Sequence, residues 1–230
     1  MHFTDMRFIM KQSRKTILCY GDSNTYGYNP EDGMRYPEDV RWPGVLAGLL
    51  GENYKVIEEG CNGRTCANTP EDEPWKDGRP YLKACLNSHK PLDAVVFMLG
   101  SNDLKARFGA VPRDMAAAMG EMMRVTAEFL QEKQGSVPYI LLISPPEIGE
   151  GITDSPFADS FEADAVPRSK ELSALYEKAA FEFAEATSCP CGFLDAARII
   201  QPSKIDSLHL MPDAHETLAA YVAQTLRAFL

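Results

Sequence analysis

Ile17-Leu18-Cys19-Tyr20-Gly21-Asp22-Ser23-Asn24-Thr25-Tyr26-Gly27 is the stretch from which the fold can be read. Its apolar run ends abruptly at Gly21, and the chain passes to a serine, with Gly27 a short way beyond. Such a run predicts a buried strand. The glycine permits a turn that holds the Ser23 hydroxyl at the edge of a sheet, facing outward. A hydroxyl held there becomes a nucleophile when a base reaches it. Taken alone, the stretch favours the blander reading of Ser23 as a helix cap or turn residue. The rest of the chain decides between the two.

Outward from that turn, strands and helices alternate. Thr16–Tyr20 is the first predicted strand, and a helix over Val40–Leu50 is closed by Gly51. Lys55–Glu58 predicts a second strand, followed by the glycine-punctuated turn Glu59-Gly60-Cys61-Asn62-Gly63-Arg64-Thr65 and a helix over Pro80–Ser88. Ala94–Leu99 is apolar throughout, which predicts a central strand covered on both faces, ending at Gly100-Ser101-Asn102-Asp103. Pro112 opens a helix whose Met115, Met119, Met122, Thr126 and Phe129 stripe reads as core packing. Tyr139–Ile143 is the fourth strand. The long irregular segment Ser144–Val166 is expected to rim a pocket and to form part of a subunit interface. A helix through Leu172, Leu175, Tyr176, Ala179 and Phe183, a short strand at Gly192–Leu194 and a last helix from Pro212 complete the chain. The pattern predicts one α/β domain over 16–230, a mostly parallel sheet sandwiched by helices in three layers.

Composition narrows the function. The 230 residues carry a formal net charge of −10, a surface that repels phosphate backbones and anionic lipid. Nucleic-acid and membrane partners are therefore not expected. Residues 1–15 mix His2, Asp5, Arg7, Lys11, Arg14 and Lys15 among apolar residues and lack a continuous apolar core, so they read as an extension rather than a secretory signal. The six cysteines form no C-x-x-C pair, and free thiols in a cytoplasmic protein are the expectation. No metal or cofactor is called for. Asp22 and Asp103 lack a third ligand, and bonding to nearby backbone N–H groups suits them better.

Ligand sites in open parallel sheets lie beyond the carboxyl ends of the strands. Ser23, Gly63, Asn102, and Asp206 with His209 follow the first, second, third and fifth predicted strands, so one sheet edge gathers them. Ser23 would attack an acyl carbon while His209 takes its proton, an imidazole suiting that task because its ordinary pKa lies near working pH. Asp206 would hold the second ring nitrogen. The backbone N–H groups of Ser23 and Gly63 and the side-chain amide of Asn102 could hold an oxyanion. His2, His89 and His215 read as structural or solvated, and Ser101 as strand-end packing.

Gly21-Asp22-Ser23, Gly63 within Asn-Gly-Arg-Thr, Gly100-Ser101-Asn102-Asp103 and Asp206-Ser207-Leu208-His209 resemble, in order, the four blocks of the SGNH (GDSL-type) hydrolases. Asp39-Val40-Arg41-Trp42, Val56-Ile57-Glu58-Glu59-Gly60 and Pro91 through Asn102 look most like its arylesterase/acyltransferase subgroup. The resemblance implies a flavodoxin-like α/β/α sandwich with five parallel strands. It also implies a metal-free serine esterase acting on small esters with short acyl groups, with acyl transfer to alcohols or peroxide, and a homo-oligomer of up to eight copies. Asn24 departs from the leucine this family most often carries there, and Tyr26 and Tyr28 stand where the subgroup tends to have tryptophan. With Arg64, these three are the candidate pocket residues, although Arg64 alone reads as an exposed arginine in a turn. No Gly-x-Ser-x-Gly elbow surrounds Ser23, which argues against the α/β-hydrolase fold. Two rival functions stand beside the esterase: a lysophospholipase or thioesterase with a longer acyl preference, and a non-catalytic small-ligand-binding module.

Overall fold

A computed structural model of the chain describes residues 14–230. Its strands are β1 (Lys15–Gly21), β2 (Tyr54–Gly60), β3 (Ala94–Met98), β4 (Tyr139–Ser144) and β5 (Cys191–Asp195). They form one sheet in the order β2-β1-β3-β4-β5, and every neighbouring pair is parallel. All residues of β3 and β4 are buried, whereas the two outermost strands are mostly half-buried. That burial matches the continuous apolar runs of the inner strands and the acids Glu58 and Glu59 on β2. Six helices complete the architecture: α1 (Ser23–Tyr26), α2 (Trp42–Leu50), α3 (Gly78–His89), α4 (Pro112–Gln134), α5 (Ala165–Thr187) and α6 (Pro212–Arg227).

Alternation along each strand sends successive side chains to opposite faces, and each face has its own core. Leu18, Tyr20, Val95, Phe97, Ile140 and Leu142 pack with α3, α4 and α5 through Leu82, Leu86, Met115, Met119, Leu172 and Tyr176. Ile17, Cys19, Val96, Met98, Leu141 and Ile143 pack on α2 and α6 through Trp42, Leu46, Leu218, Val222 and Leu226. The methionine stripe is core, as its period predicts, with Met115, Met119, Met122 and Thr126 buried. Together these layers make the α/β/α sandwich with five parallel strands.

Several boundaries differ from the sequence reading. Lys15 belongs to β1, so the expected extension is shorter by at least that residue, while residues 1–13, His2 among them, lie outside the described residues. Helix α5 starts at Ala165, just inside the segment read as irregular to about Val166, because Ala165, Val166 and Ser169 are also buried. Helix α2 begins only at Trp42, with Pro43 in its first turn. Among the described residues no helix is long and apolar enough to cross a membrane.

The register aligns the carboxyl ends on one edge: Gly21 pairs with both Gly60 and Met98, Met98 with Ile143, and Ser144 with Asp195. Every loop singled out by its chemistry leaves from that edge.

Candidate active site

The turn after β1 is built on close approach. A Cβ on Gly21 would lie 2.0 Å from Thr25 Oγ1 and 2.9 Å from the Met98 carbonyl, so only glycine fits. Asp22 then caps the one-turn helix α1 by accepting from the Asn24 N–H at 2.9 Å. The capping task thus falls to Asp22 and not to Ser23, whose hydroxyl is left free of it. Burial pushes the Asp22 carboxyl up to about 6 against the pull of that N–H and of the His209 and Arg64 charges.

His209 Nε2 lies 2.8 Å from Ser23 Oγ, and its Nδ1 lies 2.6 Å from Asp206 Oδ2. This chain of hydroxyl, imidazole and carboxylate joins residues 186 apart in sequence. Asp206 Oδ1 accepts from Ser203 Oγ and from the backbone N–H groups of Leu208 and His209, which fixes the carboxylate from its other side. Burial opposes ionisation of Asp206, yet the hydrogen bond and charge of His209, with those N–H groups, hold its carboxyl below the ordinary range. Tyr28 lays its ring on the His209 imidazole with centroids 4.2 Å apart, and Phe157 approaches the same imidazole at 5.3 Å. Ser23 and His209 are only 6% and 3% exposed, so both reacting side chains are nearly buried.

Neither the Ser23 nor the Gly63 backbone N–H donates to an acceptor among the described residues. Gly63 has φ +81°, and the Lys76 stem occupies the place a Cβ would take there. Asn102 is buried, and one of its two amide protons goes to the Arg64 carbonyl at 3.2 Å. Asp103 beside it accepts from the N–H groups of Cys66, Ala67 and Asn68 and from Asn68 Nδ2. That carboxylate clamps the loop after β3 to the loop carrying Gly63. Asp22 and Asp103 therefore bond backbone N–H groups, as the sequence suggests.

The four expected pocket residues divide. Of these, Tyr28 is the one whose ring packs against a member of the hydroxyl–imidazole–carboxylate chain. Tyr26 turns to Arg35, whose guanidinium lies 4.4 Å above its ring. Arg64 is not an exposed arginine. It is 5% exposed, donates to the carbonyls of Gly21 and Glu59, and lies 4.1 Å over the Tyr20 ring. A guanidinium with five donors is suited to closing the two carbonyl ends of β1 and β2. Asn24 is likewise bonded to backbone groups. Its amide donates to the Leu208 carbonyl at 3.3 Å and accepts from the Leu210 N–H at 3.2 Å, joining the turn of Ser23 to the backbone on either side of His209.

Three residues escape the sequence reading. Phe157, from the irregular segment, reaches His209. Ser203 buttresses Asp206. Lys105, three positions past Asn102 and bonded to its carbonyl through the backbone, lines a polar cavity of about 380 Å³ with Glu73, Lys76, Arg107, Asp159 and Ser160. Burial, then the charges of Arg107 and Lys76, lower the Lys105 ammonium from its ordinary value. Its position one short turn beyond Asn102 was the available signal. A second groove of about 490 Å³ lies between α4 and α5 and is lined by none of these residues. His215 is buried and neutral, its pKa lowered to about 4 by burial and then by the His209 charge, and its Nδ1 accepts from the Trp42 N–H. His89 pairs with Glu59. All six cysteines are free.

Known proteins share this arrangement of elements. The model of the GDSL-like lipase/acylhydrolase family matches residues 19–223. An arylesterase of Vibrio mimicus is 24% identical over 218 residues, 94% of this chain and 90% of that one. The solved aryl esterase of M. smegmatis superposes with a TM-score of 0.83 at 35% identity, covering 94% of this chain and 100% of that one. A carbohydrate acetylesterase of Sinorhizobium meliloti, Est24, gives 0.84 at 31% identity over the same shares of the two chains.

Proposed function

The chain belongs to the GDSL-like lipase/acylhydrolase family and is a carboxylic ester hydrolase, and from that premise we propose that it cleaves acetyl and other short acyl esters through an acyl-enzyme on Ser23. The observation that carries this reading is the 2.8 Å contact between Ser23 Oγ and His209 Nε2, with Asp206 2.6 Å from the other ring nitrogen. Ser23 Oγ attacks the ester carbonyl carbon as its proton passes to His209 Nε2. Asp206 holds the Nδ1–H and favours the imidazolium that forms. The carbonyl oxygen, now an oxyanion, takes hydrogen bonds from the Ser23 and Gly63 N–H groups and the remaining amide proton of Asn102. The imidazolium then gives its proton to the leaving alcohol as the C–O bond breaks. Water, or a second alcohol or peroxide, repeats the sequence in reverse and frees Ser23.

Substrate size follows from the walls. Ser23 and His209 are nearly buried between Tyr28 and Phe157, which suits a short acyl chain better than the longer one of a lysophospholipase or thioesterase. We assign the alcohol side to the polar cavity of Lys76, Lys105 and Asp159, since the Lys76 stem packs on Gly63 and the cavity offers both donors and acceptors to sugar hydroxyls. The names of the M. smegmatis and S. meliloti relatives support aryl and sugar acetates as the classes to test. Ser144–Val166 helps to rim the opening through Phe157 and is also proposed as part of a contact between copies, which light scattering checks.

An organophosphate should inactivate the enzyme stoichiometrically with the adduct on Ser23, and Ser23→Ala should lose turnover of p-nitrophenyl acetate. Labelling elsewhere, or wild-type turnover by the variant, refutes the reading. A p-nitrophenyl ester series whose best substrate is a long-chain ester refutes the short acyl pocket alone. A folded chain inert to every ester would favour the binding-module alternative.

A further inference from the structure

Glu59 stands at the carboxyl end of edge strand β2, while Cys85 and His89 sit one turn apart on α3, a spacing that aims both at the same neighbour. Glu59 Oε1 is 2.7 Å from His89 Nε2. One ligand atom from each residue, Cys85 Sγ included, lies within 4.8 Å of the other two. Among the described residues no other group of His, Cys, Asp and Glu donors gathers so closely. From this juxtaposition we propose that Glu59, Cys85 and His89 bind a zinc-type divalent cation, which pins the end of α3 to the edge strand.

The donor set selects the ion. One thiolate, one imidazole and one carboxylate suit zinc or cobalt, whereas magnesium and calcium require oxygen. Tetrahedral bonds of about 2.0–2.3 Å place neighbouring donors roughly 3.3–3.8 Å apart, so the Glu59–His89 contact opens slightly and Cys85 Sγ closes in. Cys85 is 1% exposed and forms the floor, while the His89 and Glu59 side chains, 27% and 19% exposed, leave a path from solvent. The Tyr81 hydroxyl, 3.3 Å from Glu59 Oε2, is placed to hold a water in the fourth position. None of the three residues takes part in the proposed ester chemistry. A packed thiol beside a plain Glu–His pair is the competing explanation, and it binds nothing.

The test titrates the full-length, metal-free chain with cobalt(II). A thiolate-to-cobalt charge-transfer band in the near ultraviolet should saturate at one ion per chain. The thermal midpoint should rise by about 5 °C or more at a hundredfold excess over the dissociation constant. Cys85→Ser should abolish the band, His89→Ala should move saturation to higher cobalt, and the double variant Cys189→Ser, Cys191→Ser should leave the band intact. Turnover of p-nitrophenyl acetate reports that each variant is folded. If Cys85→Ser does not fold, Glu59→Gln carries the test by weakening the titration. No band in the wild type at millimolar cobalt, or a band that survives Cys85→Ser, overturns the site.

Discussion

Replacing Asn24 by leucine, the residue the family most often carries there, should damage this chain in two measurable ways. The Asn24 amide is 2% exposed and pairs with the Leu208 carbonyl and the Leu210 N–H, backbone groups on either side of His209 that are themselves buried. Leucine matches asparagine in size but can pair with neither. Two orphaned backbone groups cost about 1–3 kcal/mol each, and the added apolar burial returns about 1 kcal/mol, leaving a loss of about 1–5 kcal/mol. For a chain of this length that lowers the thermal midpoint by about 2–20 °C. The second effect is kinetic. Asn24 ties the Ser23 turn to the loop of His209, and a misplacement of about 1 Å between reacting groups can cost about a hundredfold in rate. The expected result is a kcat for p-nitrophenyl acetate reduced by about 10–100-fold with a smaller change in KM. Circular dichroism melting and initial-rate kinetics on the same preparation read both. A variant that melts with the wild type and turns over as fast would show that the amide holds nothing, and the argument for a tie between the two loops would fall.

Asn102→Ala should lower kcat by about 10²–10³-fold with a smaller change in KM, since the amide acts where charge develops; a raised KM with kcat unchanged contradicts the assignment. Asp22→Asn should flatten the pH dependence of stability. The folded state raises this carboxyl from 3.8 to about 6 and so holds the extra proton between those values, making stability fall as pH rises through that window. Above it, the full penalty of about 3 kcal/mol applies, and urea unfolding at neutral pH should find the variant more stable and at low pH unchanged. Lys105→Ala should raise KM for an acetylated sugar while leaving KM for p-nitrophenyl acetate close to wild type; equal effects on the two substrates would remove the lysine from the alcohol side.

The sheet was legible because its signal is local. Ala94–Leu99 and Tyr139–Ile143 read as buried strands from their apolar runs, and strand direction then placed Ser23, Gly63, Asn102 and His209 on one edge without any knowledge of contacts. The end of β2 and the start of α5 were misjudged for the converse reason. The half-buried acid Glu59, followed by a glycine, looks like the start of a turn until His89 is seen to pair with it, and Ala165 and Val166 look like loop until their burial is known.

Two of the expected pocket residues share one physical feature. Arg64 and Asn24 are polar, sit beside the reacting groups in sequence, and so invite a reading as substrate contacts. Their actual partners are backbone groups: carbonyls of Gly21 and Glu59 for one, the peptide groups around His209 for the other. Backbone partners leave no trace in residue identity, since every residue offers the same carbonyl and nearly every one the same N–H. Asp103 works in the same way, gathering three N–H groups from the loop after β2. At the end of a parallel sheet each strand stops and leaves unpaired peptide groups exactly where ligands bind, so a buried polar side chain there has two possible employers. Burial decides between them. Lys105, half-buried on a cavity wall, has an ammonium that bonds no group among the described residues and is open to the proposed alcohol-side role, whereas Arg64, sealed between Tyr20 and two carbonyls, holds the sheet's edge in shape.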